Sequence, residues 1–338
     1  MIRGIILGMG KIAQTGHMPA YHSAALEQSI SIAAAVEPNL QSRAIALQQF
    51  PQLKFYDTLE QALNHEQADF VDICTPPHTH SAFIAQLLSH QQNILCEKPF
   101  AIDEPSARML AALLKSRSDV IFMGCHQYRF SPVWKQFYDF KKTFSEHDRF
   151  VLQFDVYRTE ADPGLKIGSE VWRTDKKISG GGILADTGVH YLYLCYWLFG
   201  KPLAITARTQ TLLYTNSSIE DTANVVLEYP SGVAQINLTW AADRRSNSAR
   251  FMTRKKSLQY DGTSLVRFTN DASEALQVPS ASDKSTYITM YADLFQEFAQ
   301  QVEQKKQRQD WIDEAYESVR MLQTSYESAA RGTTIMVK

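Results

Sequence analysis

Near its start the sequence reads Ile2-Arg-Gly-Ile-Ile-Leu7, followed at once by Gly8-Met-Gly-Lys-Ile-Ala13. The first segment has the length and apolar character of a buried strand, and the second fits the pattern G-x-G-x-x-[G/A]. In such a loop Gly8 allows a tight turn, Gly10 lets the backbone approach a pyrophosphate, and Ala13 keeps the following helix close to the strand. The helix N-terminus then faces the phosphate charge. The context therefore predicts a nucleotide-binding loop.

The end of the next apolar run bears on the choice of cofactor. Residues 30–36 form the second predicted strand, and Glu37 follows it. A carboxylate at this place accepts hydrogen bonds from the adenosine ribose hydroxyls and repels a 2′-phosphate, which favours NAD. Arg43 is the alternative, because a guanidinium nearby would bind that phosphate and admit NADP.

Apolar runs and helical segments alternate through the first third of the chain. Further strands are predicted at 70–74, 94–96 and 120–123, and helices at 12–26, 43–50, 59–63, 80–89 and 106–116. This alternation is typical of an α/β domain, in which a doubly wound parallel sheet carries helices on both faces. We expect this Rossmann domain to cover residues 1–124.

The remainder of the chain, residues 125–338, has a different pattern. Longer runs that alternate with a period of two predict strands at 150–159, 203–212, 222–229, 233–240 and 249–257, and helical patterns cover 186–199, 286–306 and 309–331. Strands with one polar face are typical of antiparallel or mixed sheets. The sequence therefore predicts a second domain of the α+β class.

The composition excludes several classes of function. Lys and Arg total 34 against 36 Asp and Glu in 338 residues, a net charge of −2, so no positive excess favours nucleic acid or an anionic membrane as a partner. No apolar stretch approaches the roughly 18 residues that a membrane span requires. Cys74, Cys96, Cys125 and Cys195 form no C-x-x-C pair, which predicts reduced thiols in a cytoplasmic protein. The histidines show no ligand spacing, and no metal is predicted.

Five further motifs follow one another along the chain. Thr75-Pro-Pro-His-Thr-His80 leaves one predicted strand and Glu97-Lys-Pro99 leaves the next, at the strand ends where ligands bind in open α/β sheets. Gln127-Tyr-Arg-Phe-Ser-Pro132, Trp172-Arg173 and Gly180-Gly-Gly-Ile-Leu-Ala-Asp-Thr-Gly-Val-His190 come later. In this order, and together with the glycine loop, the motifs resemble the Gfo/Idh/MocA family of sugar and polyol oxidoreductases over nearly the whole chain.

The resemblance implies an enzyme that transfers a hydride between a nicotinamide cofactor and a secondary alcohol of a sugar, cyclitol or sugar derivative. It assigns the catalytic constellation to Lys98, Asp186 and His190. It also implies that the second domain is built on a large open sheet, which the family often uses for oligomerisation, and hence a homodimer or homotetramer. Tyr193 departs from the pattern, since an aspartate is frequent at that place.

The chemistry of alcohol oxidation suggests a role for each of the three residues. Hydride leaves carbon while the hydroxyl loses its proton, and a histidine suits that proton transfer near neutral pH. We therefore predict His190 as the acid/base, Lys98 as the cation that polarises the reacting oxygen, and Asp186 as the group that orients them. Asp186 and His190 are four residues apart and project from one helix face. A share of the proton transfer for Lys98, and a helix N-cap at Asp186, are the alternatives.

The remaining predictions concern binding. Cofactor contacts are predicted at the glycine loop, at the second strand end and in three later motifs: Gly8, Gly10, Lys11, Ile12, Glu37, Arg43, Thr75, Pro76, His80, Glu97, Lys98 and Gln127. Substrate contacts are predicted for Lys98, Arg129, Trp172, Arg173, Asp186 and His190. The triple glycine at 180–182 predicts a close approach of backbone to ligand or cofactor. Core packing for Trp172, and structural roles for Gln127 and Arg129, are the alternatives.

Two other functions fit the same motifs. A NAD-dependent glycosidase oxidises a sugar transiently and recycles its reduced cofactor, whereas a dehydrogenase accumulates NADH in step with product. A sensor would bind the cofactor without catalysis, and the retained Lys98, Asp186 and His190 argue against it.

Overall fold

The computed structural model of the chain describes residues 1–165, 172–270, 272–279 and 284–337. The chain divides into two compact units. The first comprises Met1–Gln127, Pro163–Trp172 and Tyr287–Tyr316, and the second comprises Tyr128–Asp162, Arg173–Thr286 and Glu317–Lys338. The first unit thus takes in two later segments that the predicted division at residue 124 assigns to the second domain.

The first unit is built on a six-stranded sheet whose order is β3-β2-β1-β4-β5-β6. Its strands are β1 (Ile2–Leu7), β2 (Ile30–Val36), β3 (Lys54–Tyr56), β4 (Phe70–Ile73), β5 (Asn93–Cys96) and β6 (Phe122–Gly124). All neighbouring strands pair in parallel. This order is that of the dinucleotide-binding fold, in which ligands bind where the order reverses, here between β1 and β4. The predicted doubly wound sheet is confirmed.

Helices connect these strands. A π-helical turn (Ala13–His17) leads into α1 (Met18–Tyr21), and α2 (Leu40–Gln49), α3 (Leu59–His65), α4 (His80–Ser89) and α5 (Glu104–Lys115) follow. Asn39, Thr58 and Asp103 start three of them by accepting backbone N–H groups of the first turn. The predicted helix at 12–26 ends earlier, at Tyr21. β3 has no counterpart in the prediction, because its residues are at most half-buried and form no apolar run.

The second unit is built on a mixed sheet whose described order is β14-β13-β12-β11-β7-β10-β9-β8-β15. Its strands are β7 (Phe150–Tyr157), β8 (Ala204–Gln210), β9 (Thr222–Tyr229), β10 (Gly232–Thr239), β11 (Ser246–Met252), β12 (Lys256–Tyr260), β13 (Leu265–Thr269), β14 (Ser273–Leu276) and β15 (Ile335–Met336). β7 and β10 pair in parallel, and the other described pairs are antiparallel. The predicted α+β domain with a large open mixed sheet is confirmed.

One face of this sheet carries the core of the second unit. Alternate residues of β7 are buried, from Phe150 to Val156. They pack beneath α6 (Pro132–Lys142) and α8 (Val189–Phe199), where Trp134 and Tyr191 lie 5.5 and 5.0 Å from the Phe154 ring. Each fully buried side chain of this size stabilises the fold by about 1.5–3 kcal/mol.

Three other helices complete the described chain: α7 (Lys176–Ser179), α9 (Lys284–Gln304) and α10 (Gln309–Arg331). The predicted helices at 286–306 and 309–331 agree with α9 and α10. The predicted strand at 249–257 is instead two strands, because Thr253 Oγ1 accepts the N–H groups of Lys255 and Lys256 in a turn between them. None of the helices in the described ranges is long and apolar enough to span a bilayer.

Candidate active site

The glycine loop lies at the carboxyl end of β1. Gly8 has a φ of +93°, and a Cβ added there would lie 2.9 Å from the Thr75 backbone nitrogen, so a side chain does not fit. Gly10 differs, because an added Cβ would meet no atom within 4 Å. The space beside the Gly10 backbone is open, as the approach of a pyrophosphate requires.

Glu37 holds this loop in place. Its Oε2 accepts the N–H of Met9 at 2.9 Å, and its Oε1 accepts the N–H of Asn39 at 2.9 Å. The buried Gln14 adds a second brace by donating to the Met9 carbonyl at 2.8 Å. A carboxylate has about four lone-pair sites, so Glu37 keeps acceptor capacity for a ribose hydroxyl.

Arg43, the alternative phosphate ligand, is engaged by the protein. Its guanidinium donates to the backbone carbonyl oxygens of Glu37 and Tyr56, and it pairs with the Asp57 carboxylate. The donors that point towards the ends of β2 and β3 are therefore occupied. This arrangement weakens the case for a 2′-phosphate beside Glu37.

His80 ties together the loops that follow β4 and β5. Its Nε2 lies 2.7 Å from the Thr75 carbonyl oxygen and its Nδ1 lies 2.8 Å from the Pro99 carbonyl oxygen. Burial lowers the pKa of this histidine, although both carbonyl groups oppose that shift. The Lys98–Pro99 peptide in the second loop is cis. Both ring nitrogens of His80 are thus used within the protein.

A buried ionic cluster lies behind these loops in the first unit. His17 Nδ1 is 2.7 Å from Asp72 Oδ2, and His17 Nε2 is 2.9 Å from Glu97 Oε1. Tyr21 donates to Asp72 at 2.8 Å, and Tyr291 donates to Glu97 at 2.7 Å. Because each ring nitrogen of His17 faces a carboxylate, the ring is an imidazolium that donates to both.

The electrostatics of the cluster agree with this assignment. Burial alone would lower the pKa of His17, but the charge and hydrogen bond of Asp72, together with those of Glu97, outweigh burial and raise it to about 9. Burial alone would raise the pKa of Glu97, but His17, Lys98 and Tyr291 reverse that effect and lower it. The charged forms of His17 and Glu97 stabilise each other.

The same cluster has the residue types of a metal site. His17 lies with Asp72 and Cys74, and also with Glu97 and Cys125, so that the ligand atoms of each set are within 4.8 Å of one another. Burial raises the pKa of both thiols well above the usual range, whereas a metal would need a thiolate and a deprotonated ring nitrogen. The proton on His17 balances the carboxylates in this geometry.

Gln127 follows β6 at the same edge of the parallel sheet. Its side chain is buried, and its Oε1 has no hydrogen-bond partner among the described residues. An unsatisfied buried acceptor costs about 1–3 kcal/mol. A donor on a bound molecule would remove this cost, so Gln127 fits a cofactor contact.

In the second unit Asp186 and His190 lie in consecutive helical turns. Asp186 belongs to a π-helical turn (Leu184–Gly188), and His190 is in the first turn of α8. Arg173 Nε donates to Asp186 Oδ1 at 3.0 Å. The buried His190 ring stacks on Tyr128 with centroids 4.3 Å apart. Asp186 is not an N-cap, because Ile183 occupies that position.

The other predicted substrate residues lie in different surroundings. The Arg129 guanidinium lies 5.9 Å from the ring centroid of Trp197, within reach of a cation–π contact. Trp172 begins a short 3₁₀ turn and is half-buried, so it is not a core residue. Tyr193, which replaces the frequent aspartate, is fully buried.

The protein's own packing explains the glycines at 180–182, whereas the sequence predicts the approach of a ligand or cofactor there. Gly180 has a φ of +81° and ends α7. A Cβ on Gly181 would lie 1.9 Å from the Tyr326 hydroxyl, and one on Gly182 would lie 1.8 Å from the Glu220 carbonyl oxygen. The protein's own residues therefore exclude side chains at these two positions.

Glu220 holds the segment that leads to Asp186, and sequence reasoning does not find it. Its carboxylate accepts the N–H groups of Gly182 and Leu184 at 3.0 Å and the Tyr326 hydroxyl at 2.8 Å. Glu220 is buried but lies 38 residues from Gly182 in the sequence. No local pattern marks a partner at that separation.

Two family descriptions match the chain. Residues 2–125 match the oxidoreductase family with an NAD-binding Rossmann fold, and residues 149–259 match the GFO/IDH/MocA C-terminal domain. The chain belongs to the Gfo/Idh/MocA family. The resemblance drawn from the motifs is thereby confirmed, and the first unit of this family member is its NAD-binding Rossmann domain.

Several relatives of this Gfo/Idh/MocA protein are oxidoreductases by name. An uncharacterized oxidoreductase of Schizosaccharomyces pombe is 29% identical over 236 residues, which cover 68% of this chain and 60% of that protein. Trans-1,2-dihydrobenzene-1,2-diol dehydrogenase of Mus musculus is 26% identical over 188 residues, which cover 55% and 53%. The chain thus spans between 53% and 60% of the length of these two curated relatives.

Solved structures share the fold over almost the full chain. Levoglucosan dehydrogenase in complex with NADH has a TM-score of 0.83 and 17% identity, covering 100% of this chain and 99% of that one. Aldose-aldose oxidoreductase from Caulobacter crescentus has a TM-score of 0.82 and 19% identity, covering 99% of both chains. At these identities the likeness concerns the fold, which is that of the Gfo/Idh/MocA family.

The first prediction concerns Glu220. The Glu220→Ala change leaves two buried N–H groups and the Tyr326 hydroxyl without their acceptor, so we expect a loss of about 2–4 kcal/mol in the free energy of unfolding. Glu228→Ala, at an exposed position of β9, is the matched control and should cost less than about 0.5 kcal/mol. Urea unfolding measures both, and equal losses would contradict the role of Glu220.

The second prediction concerns the His17 cluster and pH. The pKa of His17 is about 9 in the folded protein and about 6.5 when unfolded, so its contribution is complete below pH 6.5 and is lost as pH rises through 9. We expect a loss of about 3 kcal/mol in the free energy of unfolding between pH 6 and pH 9.5. The His17 Cε1–H resonance, assigned by its loss in His17→Gln, follows the proton directly. Titration of this ring near pH 6.5 would contradict the account.

Proposed function

We propose that this protein is a NAD-dependent dehydrogenase that acts on a secondary alcohol of a sugar, cyclitol or sugar derivative. The observation that carries the proposal is the carboxyl edge of the parallel sheet, where the open loop at Gly10, Glu37, Thr75 and Lys98 follow strands of one nucleotide-binding sheet. Relatives named D-glucoside 3-dehydrogenase, D-apiose dehydrogenase and scyllo-inositol 2-dehydrogenase (NADP(+)) support the substrate class.

The residues at this edge suit the parts of a dinucleotide. The open backbone at Gly10, with Lys11 and Ile12 at the start of the helix, would hold the pyrophosphate. Glu37 would accept from the ribose hydroxyls, and the buried Gln127 oxygen would take a donor of the cofactor. The bound nicotinamide supplies the hydride acceptor.

NAD is the proposed cofactor rather than NADP. Glu37 would repel a 2′-phosphate, and the Arg43 guanidinium is already held by Asp57 and by two backbone carbonyl groups. Removing Arg43 from these partners would cost its hydrogen bonds before any phosphate is bound.

Lys98 is the proposed cation that polarises the substrate oxygen. It follows β5, and its backbone N–H donates to Glu97 Oε2 at 3.1 Å. An ammonium at this edge lowers the energy of developing alkoxide character. We propose that His80 shapes the cofactor's surroundings indirectly: its two ring nitrogens hold the Thr75 and Pro99 loops together and do not themselves contact the cofactor. Thr75 and Pro76, in the first of these loops, remain proposed cofactor contacts.

His190 is the proposed acid/base, and Asp186 is proposed to orient the reacting groups. Stacking on Tyr128 fixes the plane of the His190 ring, which keeps its nitrogens in one orientation for proton transfer. Arg173 fixes the Asp186 carboxylate. Arg129 and Trp172 are the other proposed substrate contacts.

We also propose a cytoplasmic homodimer or homotetramer that associates through the nine-stranded sheet. The sheet face opposite the core exposes Val151, Tyr157 and Phe268, which are large apolar groups of the kind that interfaces cover. The four cysteines are free and buried, as expected in a reducing compartment. Light scattering gives the number of chains.

A substrate screen tests the proposed function. Sugars, inositols, sugar acids and nucleotide sugars are each incubated with NAD and with NADP while reduced nicotinamide is followed at 340 nm, the absorbance band of the reduced cofactor. We expect NADH to accumulate in step with product, with NAD preferred at least about tenfold because Glu37 repels the extra phosphate. Recycling of NADH with loss of a sugar substituent would indicate a glycosidase. Tight binding of NAD without turnover would indicate a sensor. Equal use of NAD and NADP would show that the cofactor assignment is wrong.

Variants test the residue roles. Lys98→Met and His190→Gln should each lower kcat by about 10²- to 10⁴-fold, because each removes a group that acts on the reacting oxygen or its proton. The dissociation constant of NAD, measured by calorimetry, should stay within about threefold because neither side chain holds the adenosine half. Lys255→Met, at an exposed turn, is the control. Near-normal turnover in either variant would overturn its assigned role.

A further inference from the structure

The loop that carries Lys98 is joined to the interior through Glu97. One oxygen of this carboxylate, Oε2, accepts the backbone N–H of Lys98 at 3.1 Å. The other oxygen, Oε1, accepts from His17 Nε2 at 2.9 Å and from the Tyr291 hydroxyl at 2.7 Å. Glu97 is buried, so the orientation of its carboxylate is fixed by these three donors.

His17 is itself held from the other side. Its Nδ1 is 2.7 Å from Asp72 Oδ2, on β4, and the ring is fully buried. The ring lies 4.3 Å from Tyr291 and 5.0 Å from Phe295, measured between ring centroids, so α9 closes the remaining side. The imidazolium therefore links β4 to the loop after β5 through a hydrogen bond on each side of the ring.

We propose that His17 is a positioning residue for Lys98, which it holds through Glu97 against the helix that begins at the glycine loop. The inference rests on the proposed function, in which Lys98 acts on the substrate oxygen. His17 ends the π-helical turn of that helix, and Gln14 of the same turn binds the Met9 carbonyl at 2.8 Å. One short segment thus braces both the predicted phosphate loop and the loop of the catalytic lysine.

The charges explain why a histidine is needed. Asp72 and Glu97 are two buried carboxylates that approach the same ring from opposite sides. A neutral side chain in place of the imidazolium would leave like charges uncompensated in the interior, which favours protonation or displacement of one carboxylate. If Glu97 turns, the acceptor for the Lys98 backbone is lost, and a displacement of about 1 Å at a reacting group costs about 100-fold in rate.

Two isosteric substitutions distinguish the hydrogen bond from His17 to Glu97 from the one to Asp72. The amide nitrogen of a glutamine at position 17 overlaps the place of Nε2 and can still donate to Glu97, whereas the amide nitrogen of an asparagine overlaps the place of Nδ1 and can donate only to Asp72. Both variants lose the charge and one hydrogen bond. If His17 only filled space in the core, the two substitutions would therefore lower kcat equally.

The experiment compares His17→Gln, His17→Asn and the control Tyr21→Phe, which removes a bond to Asp72 on the side away from Glu97. With the best substrate of the screen, we expect kcat of His17→Asn to fall by about 100-fold and that of His17→Gln by less than about tenfold. The dissociation constant of NAD should remain within about threefold in all three, because the adenosine half is held elsewhere.

A second readout needs no substrate. Reductive methylation with ¹³C-formaldehyde labels the lysines, and the Lys98 resonance is assigned by its loss in Lys98→Arg. This resonance should shift in His17→Asn and in Glu97→Gln but not in Tyr21→Phe. Should the asparagine variant not fold, Glu97→Gln carries the same test.

The outcomes distinguish the inference from the proposed function. If Lys98→Met keeps its turnover, the assigned role of Lys98 fails, and the inference about catalysis fails with it. If Lys98→Met loses turnover while His17→Gln and His17→Asn behave alike and the Lys98 resonance does not move, the inference alone is wrong. About one zinc per purified chain would overturn the inference, because His17 would then be a metal ligand and not an imidazolium that donates to Glu97.

Discussion

The contact between Gly8 and Thr75 is the constraint on which the nucleotide site depends. A Cβ on Gly8 would lie 2.8 Å from the Thr75 side chain and 2.9 Å from its backbone nitrogen, so the ends of β1 and β4 approach as closely as two backbones allow. These strands are the pair at which the strand order reverses. The open space beside Gly10 and the loops that His80 joins lie at this same edge. Glu37 reaches the edge from the end of β2 and accepts the Met9 N–H of the glycine loop.

In each unit the helix that follows the glycine motif begins with a π-helical turn. Ala13–His17 carries His17, and Leu184–Gly188 carries Asp186. A π-helical turn adds a residue to the turn and redirects the side chains that follow, and such turns are frequent at functional sites. Each turn also holds a glycine against packed side chains: Gly16 faces Tyr291, and Gly188 faces Leu184 and Leu238. The side chains that matter for the proposed chemistry therefore lie on tightly packed backbone.

Much of the fold could be predicted because its signals are local. A few residues of sequence suffice to predict the glycine loop, the strand ends at Glu37 and Glu97, and the alternation of β7. The sequence does not predict β3, because the half-exposed residues of this strand form no apolar run. The turn that divides β11 from β12 depends on Thr253, whose hydroxyl competes for backbone N–H groups within an otherwise strand-like run.

The parts of the site that sequence reasoning missed are long-range contacts. His17 and Glu97 are 80 residues apart, and Gly182 and Glu220 are 38 apart, so spacing along the chain gives no sign of either pair. Spacing along the sequence predicts no role for His17, because its partners Asp72 and Glu97 lie on and after two different strands. The glycine run at 180–182 predicts a close approach to a ligand or cofactor, whereas the close contacts of Gly181 and Gly182 are with Tyr326 and Glu220, which only the folded chain brings there.

Binding of NAD to a Gly10→Val variant is the most direct test that this sheet edge is the cofactor site. An added Cβ at Gly10 meets no protein atom within 4 Å, so the variant should fold with a melting temperature close to that of the unchanged protein. Its side chain would fill the space left for the pyrophosphate, and calorimetry should show a loss of at least about 100-fold in affinity for NAD. A variant that binds NAD as tightly as the unchanged protein would contradict the account.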